Sequence, residues 1–201
     1  MIRFFARVVV AFVLLTILWW KGAAWLCAPA IHLAAWVLQN HAYGWLAQAA
    51  AEPNVLKVMT YPVPLPHVPF AAGVVIPEKA TDNTNGLPLY LALLVGFRFR
   101  PILGRALIGY AVLTCSQAAF LAVAALRDLL RLGPAAIQSL GIAPWQQYWL
   151  KAGYVFSGVI LPVLVPVALW AWFERKTLLQ VLRTLPLAPT QPVPQQASDA
   201  T

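Results

Sequence analysis

Few residues in this chain could carry covalent chemistry: Cys27, Cys115 and three histidines, His32, His41 and His67. A thiol nucleophile needs a base to ionise it and a donor to hold the developing charge. Ser116 follows Cys115, but all three histidines precede that cysteine. A membrane thiol transpeptidase with its Cys, Arg and His in that chain order is therefore not matched at Cys115. It is not matched at Cys27 either, because no arginine lies between Cys27 and His67. Both cysteines read as small apolar packing residues at different depths, with no disulfide framework.

A metal set fares no better. His32 and His41 fall on opposite faces of any single helix, and no Cys or carboxylate adds the usual short ligand spacing. His67 stands among prolines in Val63-Pro64-Leu65-Pro66-His67-Val68-Pro69. Nucleotide-binding and zinc-protease motifs are absent. The expectation is no catalytic residue, no metal site and no cofactor, so the protein reads as a non-enzyme.

The elements that carry these residues are membrane helices. A chain that is 61% hydrophobic, with mean hydropathy +0.73 and 10% charged residues, is an integral membrane protein. Its net charge of +8 comes from arginines and lysines that flank apolar runs. That placement serves topology and anionic lipid, and it excludes a nucleic-acid reader, which needs a solvated basic face.

Arg3 and Arg7 precede an apolar run from Val8 to Trp20, read as an uncleaved anchor over residues 1–28. Trp19, Trp20, Lys21 and Trp25 mark its outer interface. Residues 29–85 read as extracytoplasmic. Pro29 to Glu52 is helix-prone, with His41, Gln48 and Glu52 on one face, so an amphipathic helix along the surface is expected. Leu56 to Tyr61 and Gly73 to Ile76 have strand character and predict a short β-like element, too small for a core of its own.

Residues 86–176 read as three further spans, which makes about four in an all-α membrane protein. The stretch Asp82 to Pro101 turns apolar at Gly86 and supplies a short span, with a re-entrant segment as the competing reading. Arg98, Arg100 and Arg105 form a basic cluster suited to the cytoplasmic lipid headgroups. Ala106 to Leu126 is a charge-free span whose Thr114, Ser116 and Gln117 serve as interhelical contacts or, in a transporter, as a pathway lining. The last span, Trp149 to Phe173, contains Pro162 and Pro166, which predict a kink. Residues 177–201 read as a disordered tail. Arg3, Arg7, Arg98, Arg100, Arg105, Arg175, Lys176 and Arg183 are placed inside, against Lys21, Lys57, Lys79, Arg127, Arg131 and Lys151 outside. Both termini are then cytoplasmic.

At Asn85-Gly86-Leu87-Pro88-Leu89, with Ala92-Leu93 soon after, the chain resembles the small membrane proteins associated with bacterial exosortases, in particular the exosortase H-associated type. The Trp-rich outer end of the anchor and the strand Lys57-Val58-Met59-Thr60 are similar too. The resemblance implies a non-catalytic accessory to a sorting transpeptidase of the bacterial inner membrane, with an exosortase-like partner. Asn83, Asn85, Gly86, Leu87, Pro88 and Tyr90 are then a partner-contact surface or a fixed entry into the helix bundle. The alternative is a small transporter or channel subunit that assembles as a homo-oligomer.

Overall fold

A computed structural model describes residues 2–42, 44–64, 71–80, 86–96 and 102–184. The chain begins with α1, a single helix from Ile2 to His41 that continues through Pro29. Its first half exposes Phe5, Val9, Val13, Leu14, Ile17 and Leu18, as lipid-facing residues do. From Phe5 to Trp25 the helix rises about 30 Å, the thickness of the hydrocarbon core. Its second half runs on beside the helix that carries Tyr110, whose hydroxyl donates to the Leu26 carbonyl at 3.0 Å. There Ala30, Ala34, Ala35, Ile31 and Leu38 are buried, and the small alanines let a sheet pack close.

That sheet has strands β1 (Leu46–Glu52), β2 (Val55–Thr60) and β3 (Val75–Lys79), antiparallel in the order β1-β2-β3. Asn54 at φ 63° closes the tight turn between β1 and β2. An irregularity in register between Leu46 and Gln48 leaves Ala47 and Gln48 both exposed. Ala49, Leu56, Val58, Thr60 and Ile76 face inward and are buried. Thr60 accepts a hydrogen bond from the Val74 N–H on its Oγ1, which satisfies that hydroxyl's lone pair inside the core. The strand expectations for β2 and β3 hold.

The surface helix expected over Pro29 to Glu52 is corrected in two ways. Its first part is the second half of α1, one helix continuous with the anchor. Its second part is β1. Alanine favours helix, but Gly44 follows the helix end and the Pro53-Asn54 turn returns the chain along β2, so the Ala49-Ala50-Ala51 run pairs in a ladder.

After β3, helix α2 runs only from Gly86 to Gly96. Its 11 residues rise about 16 Å, half the bilayer core. The rest of the short span expected over Gly86 to Pro101, residues 97–101, lies outside the described residues. Gly86, Leu87, Pro88, Tyr90, Ala92, Leu94 and Gly96 are all buried, which is the mark of a helix packed on every side. It begins beside Leu113, near the middle of α3 (Ile102–Leu129), and a Cβ on Gly86 would sit 3.2 Å from the Pro162 carbonyl oxygen. Glycine permits that approach. Pro166 has no N–H to offer the same carbonyl, so α2 enters the bundle where a helical acceptor is vacant.

A 3₁₀ turn at Leu130–Leu132 and the short helix α4 (Pro134–Ser139) follow α3. Gly133 at φ 102° and Gly141 at φ 66° bracket α4. Helix α5 (Pro144–Val155) then passes through a π turn, Phe156–Ile160, into α6 (Leu161–Thr184). The expected proline distortion is this π turn, placed just before Pro162. Three segments are long and apolar enough to cross a membrane: Phe5–His41, Leu103–Leu132 and Pro144–Lys176. The helical membrane class stands, with α2 as a shorter fourth apolar helix. Helix α6 continues to Thr184, into the expected tail, and residues 185–201 lie outside the described residues.

Candidate functional site

Polar groups gather at the two ends of α3, and the two clusters differ in access. At one end Arg105 Nη1 meets Glu174 Oε1 of α6 at 2.5 Å, with the Glu174 side chain only 3% exposed. The Arg105 guanidinium also lies over the Phe173 ring, 5.6 Å from its centroid. The Tyr90 hydroxyl donates to the Arg105 carbonyl at 2.8 Å, which ties α2 to the same point. Arg105 is thus held in an internal ion pair, with a quarter of its side chain still exposed. Arg98 and Arg100 lie outside the described residues.

Gly86, Leu87, Pro88 and Tyr90, candidates for partner contact, are turned into the chain's own interior, and Asn83 and Asn85 lie outside the described residues. The burial of these four positions is within the bundle formed with α1, α3 and α6. Pro88 suits the first turn of α2 because the leading N–H groups of a helix have no internal acceptor. The hydroxyl end of the Tyr90 ring lies against Gly109, where a Cβ would come within 2.0 Å of its Cε1.

At the other end of α3, Asp128 is held by Arg127 at 2.7 Å and by Arg131 at 3.2 Å. Arg127 also stacks over the Tyr154 ring of α5, at 4.5 Å. Glu78 of β3 joins this group from the inner face of the sheet. The sequence reading missed it by ending the strand at Pro77. Alternation was the available signal, since Glu78 shares its parity with the buried Ile76. Pro77 is tolerated because β3 is an edge strand.

Burial, and then the Asp128 carboxylate beside it, push the Glu78 carboxyl up to about 7 from an ordinary 4.5, while Arg131 and Arg127 pull the other way. The folded chain thus holds an extra proton between those two values. The contribution of Glu78 to stability is greatest below pH 4.5 and falls as pH rises through 7. Glu78→Gln is expected to flatten this dependence and to raise the melting temperature at pH 8 relative to the unsubstituted protein. Thermal unfolding in detergent from pH 5 to pH 8 checks it, and an unchanged slope would count against the buried pairing.

Among the described residues nothing covers the outer face of the sheet, where Met59 and Val75 are exposed. Gln48, Met59 and Val75 form one cross-strand row, and Ala50, Lys57 and Pro77 form the next. A shallow concavity of about 260 Å³ lies among Gln48, Ala50, Glu52, Lys57, Met59 and Val75. A second, of about 180 Å³, lies along the β1 edge beside Gln39 and Tyr61. Glu52 and Lys57 pair across the ladder at 2.7 Å, half-exposed. Apolar and charged groups share this face, and α1 packs against the other side of the sheet.

The residues first considered for chemistry are scattered. Neither cysteine is in a disulfide; Cys27 is buried in α1 and Cys115 faces outward from α3. His32 and His41 are exposed on α1, His41 with its ring edge against Trp36, and His67 lies outside the described residues. Among the described residues no three His, Cys, Asp or Glu side chains come together in a metal-binding group. Ser116 and Gln117 border a crevice of about 10 Å³ beside Gly86, Ser157 and Pro162, space for one water at most.

Among comparisons with known proteins, the family model described as exosortase H-associated membrane protein matches residues 1–177. No curated protein and no solved structure matches the chain.

Proposed function

The chain belongs to the family of exosortase H-associated membrane proteins, and we propose that it is a non-catalytic accessory protein that partners an exosortase-type sorting transpeptidase in the bacterial inner membrane. The observation that carries this reading is the uncovered outer face of the three-stranded sheet. Met59 and Val75 are 42% and 53% exposed there, on a platform that α1 and α3 hold at the membrane's edge. A rigid mixed face of this kind suits docking against another protein's folded segment, because little ordering entropy is lost on contact.

The orientation proposed is cytoplasmic for both termini, with the sheet on the far side. Arg105 and Glu174 meet at one end of the bundle and Glu78 and Asp128 at the other, which fits reporter fusions after Lys57 and Pro134 reading outside and fusions after Arg105 and Glu174 reading inside. The basic residues Arg105, Arg175 and Lys176 fall at the inner end in this arrangement.

Reciprocal co-purification with the exosortase of the same organism tests the partnership. The unsubstituted chain should recover the transpeptidase in mild detergent, and Met59→Asp with Val75→Asp should lower recovery about tenfold while leaving the protein level unchanged. Recovery that is indifferent to the double substitution would place the contact elsewhere. No recovery by the unsubstituted chain, with both proteins well expressed, would count against the partnership itself.

A further inference from the structure

The sheet rests on two separate supports. Strands β1 and β2 turn Ala49, Leu56 and Val58 inward, where they are buried on the α1 side. Strand β3 lies instead against α3, and it is an edge strand, joined to β2 along one side only. Its inward row is Ile76, Glu78 and Ala80, because Val75, Pro77 and Lys79 alternate to the exposed side. Ile76 and Ala80 are buried, and across the ladder Glu78 stands opposite Leu56, itself fully buried. A carboxyl thus occupies the middle of an apolar contact.

What it meets there is a second carboxyl. Glu78 lies within hydrogen-bonding reach of Asp128 at the end of α3. Two carboxylates only accept, so a hydrogen bond between them requires that one hold a proton. The nearby cations are already engaged. Asp128 takes Arg127 at 2.7 Å and Arg131 at 3.2 Å, and Arg127 is also stacked on the Tyr154 ring. Arg131, with 64% of its side chain exposed, is shared with solvent. Among the described residues these are the charged and titratable groups that face Glu78: Arg127 and Asp128 from α3 and Arg131 from the 3₁₀ turn, with Tyr154 of α5 behind Arg127. On the same face β2 presents the uncharged Leu56, Val58 and Thr60.

Burial and the Asp128 carboxylate keep the proton on Glu78 up to about pH 7. Once it leaves, two like charges meet between β3 and α3, while the apolar contacts of β1 and β2 on the α1 side are unaffected. The edge strand is the part that yields.

We propose that Glu78 and Asp128 form a proton-operated latch: a proton held between them closes β3 onto the end of α3, and its loss frees that edge of the sheet while β1 and β2 stay on α1. The latch governs how the sheet is carried, and it is independent of what the outer face meets.

Double electron–electron resonance on the full chain in detergent tests it. Nitroxides on genetically encoded keto residues at positions 75 and 119, both exposed, report the β3–α3 distance and leave the two cysteines in place. A single distance is expected at about pH 5, and a second, longer one should grow in as pH rises through about 7, by up to about tenfold per pH unit, the limit for a one-proton step. Glu78→Gln keeps a donor for Asp128 without a charge, so it should hold the short distance at about pH 9 as well. Arg131→Ala removes a cation that favours the charged carboxyl, so it should move the transition to higher pH. One unchanged distance in the unsubstituted chain, a transition that survives Glu78→Gln, a long distance at every pH in that variant, or a transition at lower pH in Arg131→Ala would each overturn the latch.

Discussion

Arg105→Ala is expected to lower the stability of the detergent-purified protein by about 3 kcal/mol, and Glu174→Ala by only about 1 kcal/mol. The asymmetry follows from where the two side chains lie. Glu174 is 3% exposed, so removing its arginine leaves a carboxylate among apolar side chains with its principal cation gone. Arg105 is 25% exposed, and without Glu174 its long side chain can extend to the headgroups while keeping its stem on Phe173. The double variant Arg105→Met with Glu174→Met should recover most of the loss, because an apolar pair of similar volume avoids both desolvation costs. Thermal unfolding of the three variants measures this. Equal losses in the two single variants would mean that the pair is solvated and contributes as a surface bridge does.

Gly109→Ala is expected to be at least as damaging. The added methyl would lie 2.0 Å from Tyr90 Cε1 and 2.3 Å from Cζ, and Tyr90 is fully buried with its hydroxyl bound to the Arg105 carbonyl. The ring has nowhere to go, so α2 must leave α3. Overpacking of this kind costs about 1–3 kcal/mol where the neighbour can yield, and more where it cannot. Tyr90→Ala alone removes a large core side chain at about 3–5 kcal/mol. Adding Gly109→Ala to it should cost little further, since the clash is gone. The two substitutions would then show strong coupling in a double-mutant cycle. Additive losses would mean that α2 does not pack on α3 through this contact.

Much of the membrane architecture is written in local chemistry and was legible from it. The charge-free run after Ala106 and the two prolines of the last span each act within a few residues, so their effects appear where the sequence places them. The strand character of Val55 to Thr60 was equally plain. What was not legible depends on partners distant in the chain. Leu46 to Glu52 is alanine-rich and helix-prone, and only the antiparallel return of β2 makes it a strand. Pro29 does not end α1, because the helix beyond it is held by the sheet that its small residues admit.

The candidate site was legible in part. The Gly-Leu-Pro-Leu string marks the start of α2, but nothing local could say that its side chains would be buried by α1, α3 and α6. Arg105 carried the same positive charge as a headgroup contact would, and its ion-pair partner lies 69 residues away. Glu78 was hidden by Pro77, which is read as a strand end unless the strand is known to be an edge. The outer face of the sheet could not be identified before the register was known, because a one-residue shift exchanges its two faces.

The central claim is that the outer face of the sheet meets an exosortase. The most direct measurement is photo-cross-linking in cells of the same organism, with a photoreactive residue at position 59 and a lipid-facing control at position 107, where Leu107 is 61% exposed on α3. An adduct to the exosortase from position 59 and none from position 107 is the predicted result. Full expression of both proteins with no such adduct from position 59 would contradict it.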